Sequence, residues 1–341
     1  IFAGLGIQSS VAGVPSRQFE QIQQYQFLLA ENNSATKQEK ASLEEMLKGP
    51  DIKAYQKIYS KNVDKDFKGR VGLQTITLMM TNKDDLTPFI HLQEGQKELQ
   101  LKDGAVITAK LAQLAGIKVD QTLELDGKKI EVAAITENYV GHFIYMNQRS
   151  YQKIYDQLPE SNTYLVSLQD PSQTSVEKQA GLVMNQAAVA SVFQNASASR
   201  LFDSVASSLN QTMTILVLVS VLLAIVILYN LTNINVNERI RELSTIKVLG
   251  FHNKEVTFYI YRETMVLSLV GIILGLVSGF YLHQFLIQMI SPATILFYPR
   301  VAWEVYALPI GAVLLILILL GFFVNHHLRK VDMLEALKSI D

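Results

Sequence analysis

The apolar residues divide the chain into two parts. Up to about residue 210 they are interspersed with polar residues at the spacings of short helices and strands, as in a water-soluble domain. From residue 211 onward, long apolar runs dominate. A bilayer-spanning helix needs about 20 mainly apolar residues. The second part therefore predicts three transmembrane helices, at about 213–231, 256–284 and 305–325.

The first part predicts an α+β domain over residues 15–172. Helical patterns are expected within the segment 17–60, at Gln18–Ala30, Lys37–Leu47 and Asp51–Tyr59. Strand patterns follow, and Asp126 with Gly127 between two alternating runs is the strongest hairpin signal in the chain. Residues 173–210 are almost all helix-compatible and predict a helical stalk that carries the domain on the first span.

Residues 1–14 are apolar and rich in glycine and alanine. They are too short to cross a bilayer as a helix. We interpret them as the truncated outer end of a transmembrane helix, so we expect the chain to be part of a longer protein.

The distribution of lysine and arginine predicts the orientation in the membrane. The connector 235–256 contains four of them, and the tail 327–341 contains three. The loop between the second and third spans has only Arg300. Because short cytoplasmic segments are rich in Lys and Arg, the connector and the tail are predicted to be cytoplasmic. The loop and the α+β domain are then outside, which predicts a multi-pass plasma-membrane protein.

Composition argues against several functions. The net charge of −1 gives no reason to expect nucleic-acid binding, and there are no cysteines. The sequence has no P-loop pattern and no hydrolase motif, so we expect neither ATP binding by this chain nor catalysis. His326 and His327 are adjacent and point in different directions on a helix, with no carboxylate to complete a metal site.

The connector carries the main candidate site, a helix at about 236–250. Ile246 and Leu249 belong to an apolar stripe at helical spacing, and Gly250 is a typical helix end. The helix could lie on lipid, but its mixture of acidic and basic residues favours a protein partner. The predicted contact residues are Glu238, Arg241, Glu242, Ile246, Leu249 and Gly250.

The second span carries two further candidate sets. Gly271, Gly275 and Gly279 are four residues apart and predict a helix-packing surface, used within this chain or with a second protomer. Arg262 and Glu263 lie at the inner mouth of the span. They predict a structural ion pair or snorkelling side chains, and alternatively a relay of motion from the connector.

These residues resemble a known family. The run Glu238–Gly250, the following span with Glu263 and its glycines, and the tail His327–Lys338 are similar to the FtsX-like permease domain. Its members include MacB-type membrane subunits of ABC transporters. The stretch Lys102–Leu123 is similar to the extracytoplasmic core domain of MacB-type permeases. The segment Gly4–Val11 resembles the end of a first span in long, duplicated Gram-positive permeases, of which this chain would be the C-terminal half.

The resemblance implies a membrane α-helical bundle, with one truncated and three complete spans, carrying a large α+β extracytoplasmic domain. It implies that residues 211–341 form the permease domain and that the connector is a coupling helix. Its partners would be a cytoplasmic ABC ATPase dimer, which binds ATP and Mg, and a second permease half or protomer. The expected function is export or extraction of an envelope lipid, lipoprotein or peptide. The alternative is an ATPase-driven regulator of a cell-wall hydrolase, or a signalling scaffold.

Overall fold

The structure is a computed structural model, and it describes residues 1–67, 71–83, 85–101, 103–239, 242, 245–246, 249–297 and 301–330. The chain forms two compact units. The helical unit comprises Ile1–Val11, Ser207–Ile290 and Pro299–Asp341. The α/β unit comprises Ala12–Ala206 and Ser291–Tyr298. The chain therefore passes between the two units several times.

The α/β unit is built on one large sheet. Eleven strands occur in the described residues: β1 (Phe27–Glu31), β2 (Ile52–Phe67), β3 (Gly72–Thr81), β4 (Gln93–Glu94), β5 (Lys97–Glu98), β6 (Ala105–Thr108), β7 (Thr122–Leu125), β8 (Lys128–Thr136), β9 (His142–Asn147), β10 (Thr163–Leu168) and β11 (Val189–Gln194). Nine of them form a mixed sheet in the order β11-β1-β10-β2-β3-β9-β6-β8-β7, and β4 pairs with β5. The pairs β3–β9 and β6–β8 are parallel and the others are antiparallel.

Asp126 and Gly127 form the predicted hairpin turn between β7 and β8. Leu125 lies opposite Lys128, and both turn residues have positive φ angles, 52° and 70°. Two consecutive positive φ angles match the right-handed twist of the flanking strands, and glycine adopts them without steric cost. The hairpin prediction is confirmed.

The first helix of the chain is α1 (Phe2–Ala12). Four later helices, which belong to the α/β unit, cover one face of this sheet, which we call the helix face. They are α2 (Lys37–Leu47), α3 (Ala109–Ala115), α4 (Gln148–Tyr155) and α5 (Gln173–Met184). Helices α2 and α5 pack on β1 and β10, whereas α3 and α4 pack on β3, β6, β8 and β9. Tyr55, Tyr59 and Val63 of β2 touch these two clusters, and their even spacing places them on the same face.

The sequence reading of the segment 17–60 is only partly right. Lys37–Leu47 is a helix, but Gln18–Ala30 forms a π-helical turn (Arg17–Ile22) followed by β1, and Asp51–Tyr59 lies in the loop before β2 and in that strand. Strand β2 lies between β10 and β3, and both edges of its backbone are paired. These long-range hydrogen bonds override the helical spacing of its apolar residues.

The prediction of a helical stalk over 173–210 is wrong between Met184 and Asn195. Helix α5 ends at Met184, and Val189–Gln194 forms β11, which pairs with β1 along its whole length. Two β-branched residues, Val189 and Val192, pack against the helix-face core. Burial of these side chains and pairing with β1 favour a strand at this point.

Three long helices form most of the helical unit: α6 (Asn195–Glu238), α7 (Asn253–Ile290) and α8 (Glu304–Lys330). All three are long and apolar enough to cross a membrane, which confirms the predicted spans. Helix α6 starts directly after β11 and continues without a break through its apolar stretch. The predicted tail lies outside the described residues beyond residue 330.

Helix α1 packs against α7. Gly6 lies so close to His283 that a Cβ there would be 2.6 Å from the imidazole ring. Ser10 Oγ is 3.1 Å from His283 Nε2, and both residues are buried. Phe2 packs in the same way against Gly279, four residues before His283. Residues 1–14 are thus helical for most of their length and run alongside the second span.

Candidate functional site

The ends of α6, α7 and α8 that lie near the connector meet in a small apolar cluster. Val236, Val256 and Val324 contribute one buried side chain from each helix. Ile246 of the connector packs against them and is partly buried. This connector residue therefore packs against a cluster to which all three helices contribute, which the sequence pattern did not indicate.

Other connector residues face outward. Glu242 is exposed, Leu249 is 72% exposed and Phe251 is 52% exposed. Leu249 N–H donates to Thr245 O in a helical hydrogen bond of 3.1 Å, and Gly250 then turns the chain with φ +96°. A side chain at Gly250 would meet no steric obstacle, so the positive φ angle is what favours glycine there.

Of the other two predicted contact residues, Glu238 is exposed at the last position of α6 and Arg241 lies outside the described residues. The exposed members of the predicted set are therefore Glu238, Glu242, Leu249 and Gly250. Phe251, which the prediction did not include, is exposed as well.

An ion pair joins α6 and α7 near the connector. Arg239 Nη2 lies 2.7 Å from Glu263 Oε2, and Asn235 Nδ2 donates to Thr264 Oγ1 at 3.4 Å one turn away. Arg262 is exposed. The partner of Glu263 is thus Arg239 on the preceding helix. The sequence contained a signal for this pair: Arg239 and Glu263 have opposite charges and lie at the ends of two spans that a short connector joins.

Tyr261 ties α7 to α8 close to this ion pair. Its hydroxyl donates to Leu317 O, and the buried side chain packs with Ile316, Leu317 and Leu320. Gly321 lies in contact with its ring. Sequence reasoning missed Tyr261, because an aromatic residue near the end of a span is common for other reasons.

The three glycines of α7 have different surroundings. A Cβ at Gly279 would lie 2.9 Å from Phe2 Cβ, so this glycine allows α1 to pack closely. Gly271 and Gly275 have no atoms near their Cβ positions. Both line an apolar cavity of about 410 Å³. Contact of these two glycines with a second protomer stays a prediction.

In the α/β unit, Gln18 holds the loop between β8 and β9. It is fully buried, and its Nε2 donates to Asn138 Oδ1 at 2.9 Å. Its Oε1 accepts from the backbone N–H groups of Tyr139 and Val140, at 2.8 and 3.2 Å. Gln18 follows α1 by a few residues, so the chain leaving that helix is fastened to residues 138–141.

Two other segments next to long helices are fastened to the same unit. Residues 291–297, which follow α7, lie along the loop that Gln18 holds: Gly141 N–H donates to Thr294 O and Leu296 N–H donates to Tyr139 O, both at 2.8 Å. At the start of α6, Asn195 Nδ2 donates to Tyr25 O at 2.7 Å and to Gln23 O at 3.3 Å. Apart from Thr294, which is exposed, these anchor residues are buried or partly buried.

Lys110 also contacts the segment after α7. Its Nζ donates to Ser291 Oγ at 3.0 Å, and burial lowers the pKa of this lysine. Burial and then the charge of Lys110 lower the pKa of the neighbouring His142. Among the described residues, no group of three or more His, Asp or Glu is arranged to hold a metal.

The structure defines a class of protein, a polytopic membrane protein with a large non-membrane unit. Its features are three helices long enough to cross a membrane, a short connector between the first two, and an α/β unit that precedes them in the chain. Residues 214–332 match the family model of the FtsX-like permease C-terminal domain. This match confirms the FtsX-like permease domain predicted for the C-terminal part of the chain.

Two solved structures resemble the chain. One is the periplasmic region of MacB from Actinobacillus actinomycetemcomitans, with 9% identity and a TM-score of 0.32 over 53% of this chain and 94% of that one. The other is the extracellular domain of the noncanonical ABC-type transporter YknZ from Gram-positive bacteria, with 14% identity and a TM-score of 0.29 over 47% of this chain and 92% of that one. A search of curated proteins found no significant match.

Proposed function

We propose that the chain is the permease subunit of an ABC-type complex in the plasma membrane, and that its connector docks on a separate cytoplasmic ATPase dimer that binds ATP and Mg. The observation that carries the proposal is the arrangement of the connector within the FtsX-like domain. Glu242 and Leu249 are exposed, while Ile246 packs against the buried cluster that the three spans form together. A displacement of the outward side would move Ile246, and with it the helix ends.

The continuity of the fold supports mechanical transmission to the α/β unit. Helix α6 runs unbroken for 44 residues, or about 66 Å at 1.5 Å per residue. Its first residue, Asn195, is hydrogen-bonded inside the α/β unit. The segment that follows α7 is bonded to residues 139–141. Movement of the spans would therefore reach the sheet through backbone and hydrogen bonds.

The proposed orientation places the connector and the C-terminus in the cytoplasm and the α/β unit outside. Its support is the lysine and arginine distribution of the short connecting segments. The complex would then act on a lipid, lipoprotein or peptide of the cell envelope, together with a second permease half or protomer.

Two exposed leucines provide a matched test. Leu249 lies in the connector and Leu73 in β3, with exposures of 72% and 67%. We expect Leu249→Asp to abolish ATP hydrolysis by the complex that co-purifies with the chain from native membranes, because a charge replaces an apolar contact. Glu242→Lys should weaken the same interaction, whereas Leu73→Asp should leave hydrolysis at the unmodified level.

Folding is checked in each variant by the yield of membrane-inserted protein and by its resistance to protease. Equal ATP hydrolysis in the Leu249→Asp and Leu73→Asp complexes would overturn the coupling role of the connector.

A further inference from the structure

The α/β unit has a second sheet face, opposite the helix face, that encloses a large cavity. We call it the open-face cavity. Its volume is about 750 Å³, within the range of about 300–1,000 Å³ typical of small-molecule sites. The side chains that line it come from β1, β2, β3, β9, β10 and β11, and the π-helical turn and the first turns of α6 close it on the side.

One wall of the open-face cavity is aromatic and aliphatic. Phe19 of the π-helical turn and Phe202 of α6 lie with their ring centroids 5.9 Å apart. Phe193 of β11 is 51% exposed and Leu201 of α6 is 71% exposed. Leu28 lies directly opposite Phe193 in the sheet. Large apolar side chains grouped on the surface of a folded unit commonly mark a binding site.

The opposite wall is polar and uncharged. Its residues already satisfy one another: Thr77 Oγ1 donates to Asn62 Oδ1 at 2.9 Å, and the Asn162 amide bonds to the backbone of Ser60 through both its oxygen and its nitrogen. Glu31 also borders the cavity, but its carboxylate points to the helix face, where Lys40 and Lys57 bind it. No ion pair or metal site is thus available to select a charged ligand within the described lining.

Gln23 provides a polar group at this site. The residue is only 4% exposed and lines the cavity. Its side-chain amide can hydrogen-bond to a ligand, since an amide both donates and accepts.

From these features we infer that the open-face cavity binds an uncharged amphiphile: a hydrocarbon chain along the Phe19, Phe193 and Phe202 wall, with an amide, ester or hydroxyl group hydrogen-bonded to Gln23. The inference deepens the proposed function, on which it rests for the role of this ligand as cargo. The chemistry is shared by the acyl region of a bilayer lipid and by an acylated compound that enters from the aqueous side.

The test uses the full chain in lipid nanodiscs and a photoreactive palmitamide that carries a diazirine on its chain. Cross-linked peptides are identified by mass spectrometry. We expect labelling of peptides that contain Phe19, Phe193 and Phe202. Leu201→Asp places a carboxylate beside the hydrocarbon and should reduce this labelling about tenfold or more, because an unpaired charge next to an apolar ligand is unfavourable.

Leu182→Asp is the matched control. Leu182 lies on α5, is 45% exposed and does not line the cavity. Its variant should be labelled as strongly as the unmodified protein. Gln23→Met keeps nearly the same shape and removes the amide. It should lower labelling by palmitamide several-fold while leaving labelling by the corresponding photoreactive alkane unchanged.

A second arm places the diazirine on the nanodisc lipid itself. Labelling of the cavity from this lipid identifies a bilayer source, and labelling only by added palmitamide identifies an aqueous source. Absence of cavity peptides in both arms, or equal labelling of Leu201→Asp and Leu182→Asp, would overturn the inference. No ATPase takes part, so the result is independent of the Leu249→Asp test of coupling.

Discussion

Many leucines of the α/β unit are buried in its core, whereas many leucines of the long helices are exposed. Leu29 of β1 and Leu43 of α2 are fully buried between sheet and helices. Leu218 and Leu223 of α6 are 57% and 58% exposed. The same side chain is stabilised by removal from water in one unit and by contact with lipid in the other. Long helices with many exposed apolar residues therefore distinguish the helical unit from the α/β unit.

The two units also treat charges differently. In the α/β unit, the Glu31 carboxylate is 3% exposed and is bound by Lys40, Lys57 and the hydroxyl of Tyr164. In the helical unit, Arg239 and Glu263 form their pair at the helix ends, with side chains 39% and 57% exposed. A charge far from water needs several partners, whereas a charge at the membrane surface needs only one.

Truncation of one leucine in each unit tests this comparison of buried and exposed leucines. Of the three predictions, this one has the largest expected effect on stability. Leu29→Ala removes a fully buried side chain and should lower the free energy of unfolding of the α/β unit by about 4 kcal/mol. Leu223→Ala should change it by less than about 0.5 kcal/mol, because the side chain faces outward from its own unit.

Both values are measured by urea unfolding of the full chain in nanodiscs, with hydrogen exchange of the β1 and β10 amides as the signal. A large loss for Leu223→Ala would show that α6 is packed in the same way as the sheet.

The features predictable from the sequence are those set by local composition. The three spans need only long apolar runs, and the Asp126-Gly127 turn needs only two adjacent residues. Strands β1, β2 and β11 were read as helix because their partners are distant in the chain. Phe27 of β1, for example, lies opposite both Val166 and Gln194. Pairing at that separation leaves no periodicity that a local reading can detect.

The connector shows the same limit within the candidate site. Its helical spacing and its Gly250 turn could be read directly. Ile246 and Leu249 belong to one apolar stripe in sequence, yet one packs on the helix ends and the other is exposed. Which of the two side chains is buried depends on the position of the C-terminal part of α8, because Val324 of that helix completes the cluster. Its position relative to the connector cannot be obtained from the connector alone.

The buried carboxylate gives the second prediction. Burial alone would raise the pKa of Glu31, but hydrogen bonds from Lys57, Tyr164 and Lys40 outweigh it and hold the pKa below its usual range. Glu31→Gln should therefore cost about 2 kcal/mol of stability at pH 7. A lowered folded-state pKa gives stability that is present above the unfolded value, about 4.3, and is lost as pH falls through the folded value.

The difference between Glu31→Gln and the unmodified chain should accordingly shrink below about pH 4. Urea unfolding at pH 7, 5 and 3.5 measures it. A difference that stays constant with pH would mean that the carboxylate charge contributes nothing to the cluster.

The exposed pair between α6 and α7 should show the smallest effect, and it sharpens the comparison with Glu31. Arg239→Glu and Glu263→Arg each remove the attraction and place like charges together, so each should lower stability by about 0.5–1 kcal/mol. The double variant restores opposite charges and should recover most of the loss. Thermal unfolding of all four proteins in nanodiscs completes the double-mutant cycle.

Because the pair is open to water, its coupling should weaken further at 1 M salt, where the screening length is about 3 Å. A coupling energy above about 2 kcal/mol that persists in high salt would contradict this prediction. It would show that Arg239 and Glu263 behave like the buried Glu31 cluster and that the ends of the helices near the connector depend on them.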